Sequence, residues 1–128
     1  MAITLNTGAR NAACDAIVDL VDVTGPGTIE IKTAASTVAG TSEAATLTFS
    51  ATAFGAAATG TAAANAITSD TSATGGTVSD YTVFNGAGLA IWQGSVATSL
   101  ADLNLSSVTI GAGDTVSISA FTLTVPAS

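Results

Sequence analysis

The chain has no histidine and a single cysteine, and only two of its 128 residues are cationic. The missing imidazole removes histidine acid–base chemistry, Ser–His–Asp triads, Cys–His dyads and histidine-ligated zinc together. One cysteine forms no intramolecular disulfide, and Cys14 lies among Ala12, Ala13, Ala16 and Ile17. That setting predicts a buried, inert thiol, because an activated thiolate needs a positive neighbour and Asp15 has the opposite sign. Charge is scarce as well. Charged residues make up 9% of the chain, against roughly 25% in ordinary soluble domains.

The shortage is lopsided, with nine acids against Arg10 and Lys32, for a net charge of −7. No basic stripe is available to replace phosphate counterions, which argues against nucleic acid and against anionic membrane surfaces as partners. No run approaches the ~20 apolar residues of a membrane span. The opening "MAITLNTGAR" lacks the apolar core of a secretory signal, so the expectation is synthesis and assembly in a cytoplasm. No Gly-rich loop ends in Lys-Ser or Lys-Thr, and "GAGLAI" at 86–91 is too short to be a dinucleotide fingerprint. Disorder is equally disfavoured by a 48% hydrophobic composition and a mean hydropathy of +0.59.

What is present is Ala, Thr, Ser and Gly in a sequence of suitable length for one domain. Residues 1–27 read as an N-terminal helical segment. In 6–23, Ala9, Ala13, Ile17, Leu20 and Val21 follow helical spacing as one apolar stripe, with Asn11, Asp15, Asp19 and Asp22 opposite. Asn6 or Thr7 supplies the N-cap, and "TGPG" at 24–27 ends the element. From Thr28 the period becomes two. "TIEIKT" places Ile29 and Ile31 inward with Glu30 and Lys32 outward, and "ATLTFS" places Leu47 and Phe49 inward. "SDTSATGGT" at 69–77 is a loop, "NGAG" at 85–88 joins two antiparallel strands, and "GAGD" at 111–114 is a further turn. Within "TVSISAFTLTV" the inward phase shifts from Val116 and Ile118 to Phe121, Leu123 and Val125. A β-bulge near Ala120 accounts for this, as does a strand buried on both faces.

The uncharged stretch "TAFGAAATGTAAANAIT" at 52–68 favours a small-residue hairpin turning near Thr59-Gly60, with a helix as the alternative. Seven or eight short strands over 28–128 then predict an antiparallel β-sandwich or jelly-roll-like domain behind one N-terminal α-helix.

The carboxylates offer little chemistry. Asp15, Asp19 and Asp22 read as a solvated helix face rather than a cation site, since no EF-hand spacing supports them. Asp70 in "SDTSATGG" lacks the following Gly and the second copy that a carboxylate dyad needs. Asp102 and Asp114 are expected to satisfy backbone groups in turns. Trp92 reads as a core or interface anchor, and Arg10 as the partner of a helix acid or of another protein. The expectation is no enzyme, with no catalytic, cofactor-binding or metal residues. Candidate interface residues are Phe54, Ala58, Ile67, Trp92 and Arg10.

From Gly75 onward, "GGTVSDYTVFNGAGLAIWQGSVATSLADLNLSSVTIGAGDTVSISAFTLTVPA" resembles the C-terminal half of small virion-associated proteins of tailed bacteriophages. The likeness lies in a Gly turn, a "GSV" strand, an "ADL" strand, an "AGD" strand and a final Thr/Val-rich strand. "ITLNTGARNAACDAIVDLVD" and "ATLTFSATAFGAAATG" resemble the same group, so the likeness spans nearly the whole chain. It implies a virion structural role on the capsid exterior: a decoration (cement) protein, homotrimeric, with the major capsid protein as partner. A tail or fibre module binding a host surface is the alternative. The scarcity of aromatics with a polar handle, Tyr81 and Trp92 alone, counts against glycan binding.

Overall fold

The computed structural model describes residues 3–127, which form one helix and ten short strands. The helix α1 spans Thr7–Asp19, and the Asn6 side chain caps it by accepting from the Ala9 N–H at 2.8 Å. The strands are β1 (Thr28–Lys32), β2 (Glu43–Phe49), β3 (Thr61–Ala63), β4 (Ile67–Thr68), β5 (Gly76–Thr77), β6 (Asp80–Phe84), β7 (Ala90–Ala97), β8 (Leu103–Asn104), β9 (Thr109–Ile110) and β10 (Thr122–Thr124). The chain is therefore mainly β with one N-terminal helix, and its strands are shorter and more numerous than the sequence suggests.

Six strands form a curled sheet in the order β4-β2-β1-β6-β7-β8, while β10 pairs with β3 and β5 with β9. All pairings are antiparallel except β7 with β8. The Gly turn at 85–88 joins β6 to β7 as expected, held by Asn85, whose Oδ1 accepts from the Ala87 and Leu89 N–H groups. The phase shift before Phe121 also has a physical counterpart. Val116 pairs with Asp70, the chain bends at Ser119, and β10 then joins β3.

Five of the six aromatic residues meet on one side of the six-stranded sheet. Phe121 sits at their centre, with ring centroids 5.3 Å from Tyr81, 6.1 Å from Phe54, and 6.2 Å from both Phe49 and Trp92. Ile29, Ile31, Leu47 and Val83 are fully buried in the same core. At the position paired with Tyr81, Gly94 leaves room for the phenol ring, since a Cβ there would lie 2.4 Å from it.

The opposite side of β1 departs from the alternation read in "TIEIKT". Glu30 and Lys32 are not outward but buried, at 6% and 0% exposure. Strands β2 and β6 flank β1, and the 33–42 connection returns over its second face. Lys32 Nζ donates to Glu30 Oε1 at 2.9 Å, to the Thr41 carbonyl at 2.7 Å and to the Val38 carbonyl at 3.1 Å. Its charge lies 5.3 Å from the centre of the Phe84 ring, and Glu30 accepts the Gly40 N–H. Thr82, also buried, donates to the Ser36 carbonyl.

A second correction concerns the helix. It ends at Asp19 rather than near Val23, and its docked side is turned one residue, about 100° around the axis, from the predicted stripe. Val21 is buried as expected, but its buried companions are Cys14 and Val18, whereas Ala9 is exposed and Leu20 is 48% exposed. The reason is what the helix packs against. It lies across β3 and β10 and the segment before them, whose backbone groups need acceptors that alanine and isoleucine lack.

Candidate functional site

The stretch 52–68 is the hairpin favoured by its composition. Ala58 and Thr61 exchange N–H···O bonds of 2.9 and 3.0 Å around Thr59 and Gly60, whose φ angles of 52° and 76° make a two-residue turn of the kind that fits twisted strands. Bridges join Phe54 to Ala64 and Ala58 to Thr61, so the first limb carries one residue more than the second. N–H groups of this limb and of the turn go to side chains of α1 and of the segment just after it. Ala53 donates to Asp22 Oδ2 at 2.7 Å, Ala57 to Asp15 Oδ1 at 2.7 Å, and Gly60 to Asn11 Oδ1 at 2.8 Å.

Of the residues read as a solvated helix face, Asp15 and Asp22 are instead acceptors that hold the hairpin together with Asn11, while Asp19 is exposed as expected. Arg10 completes the clasp. Its Nε donates to the Val125 carbonyl at 2.8 Å, and its guanidinium covers Gly60, where a Cβ would lie 2.5 Å away. Cys14 is fully buried and donates to the Leu123 carbonyl at 3.3 Å. Burial pushes its thiol above the ordinary value of 9.0, which leaves it protonated and a poor nucleophile.

The same economy holds across the molecule. Glu43 accepts the hydroxyls of Thr46 and Thr74, and Asp70 accepts the N–H groups of Thr46 and Ser72. Asp80 accepts the Ser79 hydroxyl, Asp102 the N–H and hydroxyl of Ser95, and Asp114 the Gly111 N–H. The turn role expected of Asp114 is thereby realised, whereas Asp102 reaches back to a backbone N–H within β7. Together with Arg10, Asp15, Asp22, Glu30 and Lys32, ten of the chain's eleven charged side chains bind their own chain. Asp19 is the exception among the described residues.

The remaining candidates fall in different places. Phe54 belongs to the aromatic cluster at 7% exposure, and Ala58 is exposed beside the Thr59-Gly60 turn. Ile67 is half-buried on β4, at an edge of the sheet. Trp92 is half-buried, stacked on Phe121 with 5° between the rings, and donates its indole N–H to the Tyr81 oxygen at 3.3 Å. Burial raises the Tyr81 phenol above its ordinary value of 10.0, with Asp102 adding to the rise and the Trp92 bond opposing it. The structure therefore does not assemble the five into one surface.

An open groove of about 390 Å³ runs between residues 104–107 and 114–120. Its polar lining is mainly serine and threonine, and its single carboxylate, Asp114, is held by the Gly111 N–H. No nucleophile–base pair faces it. Among the described residues no group of three or more acidic or sulfur ligands is arranged for a metal, and no helix is long and apolar enough to cross a membrane.

The exposed large apolar side chains are the one surface feature that the sequence did not single out. Ile3 is on the segment before α1, and Val38 and Leu100 are on separate loops, but Leu20 and Val23 adjoin the 24–27 turn and Leu89 the 85–88 turn, at one end of the molecule. There the 85–88 turn abuts the 24–27 turn, with Gly86 so close that a Cβ would lie 2.9 Å from the Thr24 and Gly25 carbonyls. No protein-family model matches the chain, and neither a curated protein nor a solved structure matches it.

Proposed function

We propose that the chain is a structural protein of a tailed-phage virion, a capsid decoration protein that binds the outer surface of the major capsid protein shell and stabilises the head. The observation that carries this reading is that ten of the eleven charged side chains bond to their own chain. It leaves an exterior rich in threonine, serine and alanine, where docking onto another protein strips water from few charged groups. The sequence resemblance to phage virion proteins supplies the particle. A jelly-roll-like closure of the curled sheet, a homotrimer and a location on the capsid exterior belong to the same proposal.

The test is addition of purified protein to expanded heads lacking it. The expected outcome is saturable binding and heads that survive higher temperature or stronger osmotic shock. Absence of binding, combined with labelling at the tail tip in a cryo-EM map, overturns the decoration reading in favour of a tail or fibre component.

A further inference from the structure

The exposed apolar end of the molecule coincides with the one charged side chain that has no partner among the described residues. Leu20, Val23 and Leu89 are 48%, 67% and 66% exposed, and Pro26 is exposed between them. Asp19 is the last residue of α1 and precedes Leu20 directly. Its position is electrostatically unfavourable in the isolated chain. The C-terminal end of a helix carries partial negative charge and favours a cation, yet the last turn of α1 has no basic residue and ends on an acid. Every other acid in the molecule has a donor from its own chain; this one adds its charge to that of the helix end.

We infer that this end, Asp19 with Leu20, Val23 and Leu89, is a docking surface for another protein that presents a lysine or arginine beside apolar side chains. The cation would meet the carboxylate and the helix end together, while the apolar side chains cover the three exposed residues. A second copy of the chain does not fit. Its cationic side chains are Arg10, bound to the Val125 carbonyl and packed on Gly60, and Lys32, fully buried on Glu30. The charge is therefore assigned to a different protein. The inference rests on the decoration reading only in naming the shell as that protein.

Two experiments test it. The first uses a defined probe, N-octanoyl-arginine amide, which joins one cation to one apolar chain, followed by NMR on the labelled protein. The expected result is amide shifts confined to residues 19–25 and 85–89, with affinity falling about tenfold, equivalent to ~1.4 kcal/mol, for Asp19→Lys or for the neutral N-octanoyl-glutamine amide. Shifts elsewhere, no shifts, or equal affinity for Asp19→Lys overturns the assignment. Asp19→Lys is expected to melt at a higher temperature than the parent, because it places a cation at the helix end, so weaker binding does not reflect misfolding.

The second experiment adds Asp19→Lys, Val23→Ser and Ser119→Lys proteins to heads lacking the chain. Weaker binding of the first two, with Ser119→Lys unchanged, supports this end as the shell contact; equal binding of all three overturns it. If the parent protein fails to bind heads, the decoration reading fails, and the probe titration alone decides the surface.

Discussion

The two faces of β1 are held by opposite means. On one, Ile29 and Ile31 enter a core in which Phe121 touches four other aromatic rings. On the other, Lys32, Glu30 and Thr82 stitch a loop to the sheet through ion pairing and hydrogen bonds. The aromatic face gains from area removed from water, a term that falls in proportion to what is cut away. The polar face is closer to all-or-none. A buried ion pair adds little over well-packed apolar residues, but either partner left alone is a buried uncompensated charge.

This contrast is best broken by single and double substitutions. Phe121→Ala is expected to cost about 3–5 kcal/mol, from lost transfer energy and the cavity left among four rings. The emission of Trp92, the chain's only tryptophan, should shift to the red as its stacking partner is removed. Lys32→Met is expected to cost a similar ~3–5 kcal/mol, because Glu30 loses its counter-ion under the 33–42 loop. The faces part company in the double mutant. Adding Glu30→Gln to Lys32→Met should restore much of the loss in urea unfolding, whereas no second truncation in the aromatic cluster rescues Phe121→Ala. A double mutant as unstable as Lys32→Met alone would show that the ion pair, rather than the avoidance of a lone charge, holds this face.

Smaller effects sharpen the comparison at the helix. Asp15→Ala and Asp22→Ala each remove a charged acceptor from a backbone N–H of the hairpin, at an expected cost of about 1.5–3 kcal/mol. Thermal melts against Asp19→Ala, which loses no such bond, check that the cost lies in the clasp. The smallest effect is a matter of pH. Burial raises the Tyr81 phenol above 10.0, so above that pH the folded state keeps a proton that the unfolded chain releases. Stability is therefore unaffected by this group below pH ~10 and declines as pH rises through the raised folded value. Because Tyr81 is the only tyrosine, absorbance of the phenolate measures its midpoint directly, and a midpoint at or below 10 refutes the burial effect.

Much of this arrangement was legible in the residues, and the failures share one cause. Period-two alternation located β1 and β2, Asn85 and the glycines marked the β6–β7 turn, and Thr59-Gly60 marked the tip of the hairpin. These are local signals, decided by the residues themselves. Pattern reading equates polar with solvated, and that equation failed at Glu30 and Lys32 and at Asn11, Asp15 and Asp22. In each case a distant segment brings unpaired backbone groups to the side chain: the 33–42 connection to β1, and residues 53–60 to the helix. Nothing in the spacing of the acids reveals that approach. The apolar end formed by Leu20, Val23 and Leu89 was hidden for the same reason, since it depends on two turns meeting.

The clasp made by α1 also has a meaning in time. Asn11 waits for a partner 49 residues further on, Cys14 for one 109 residues on, and Arg10 for one 115 residues on. A helix of 13 residues is marginal alone in water. On a growing chain, the bonds from α1 and Asp22 to residues 53–60 need only the hairpin, whereas those of Cys14 and Arg10 wait for Leu123 and Val125 near the far end of the fold. The clasp is thus built in two stages, the hairpin side first and the β10 side last.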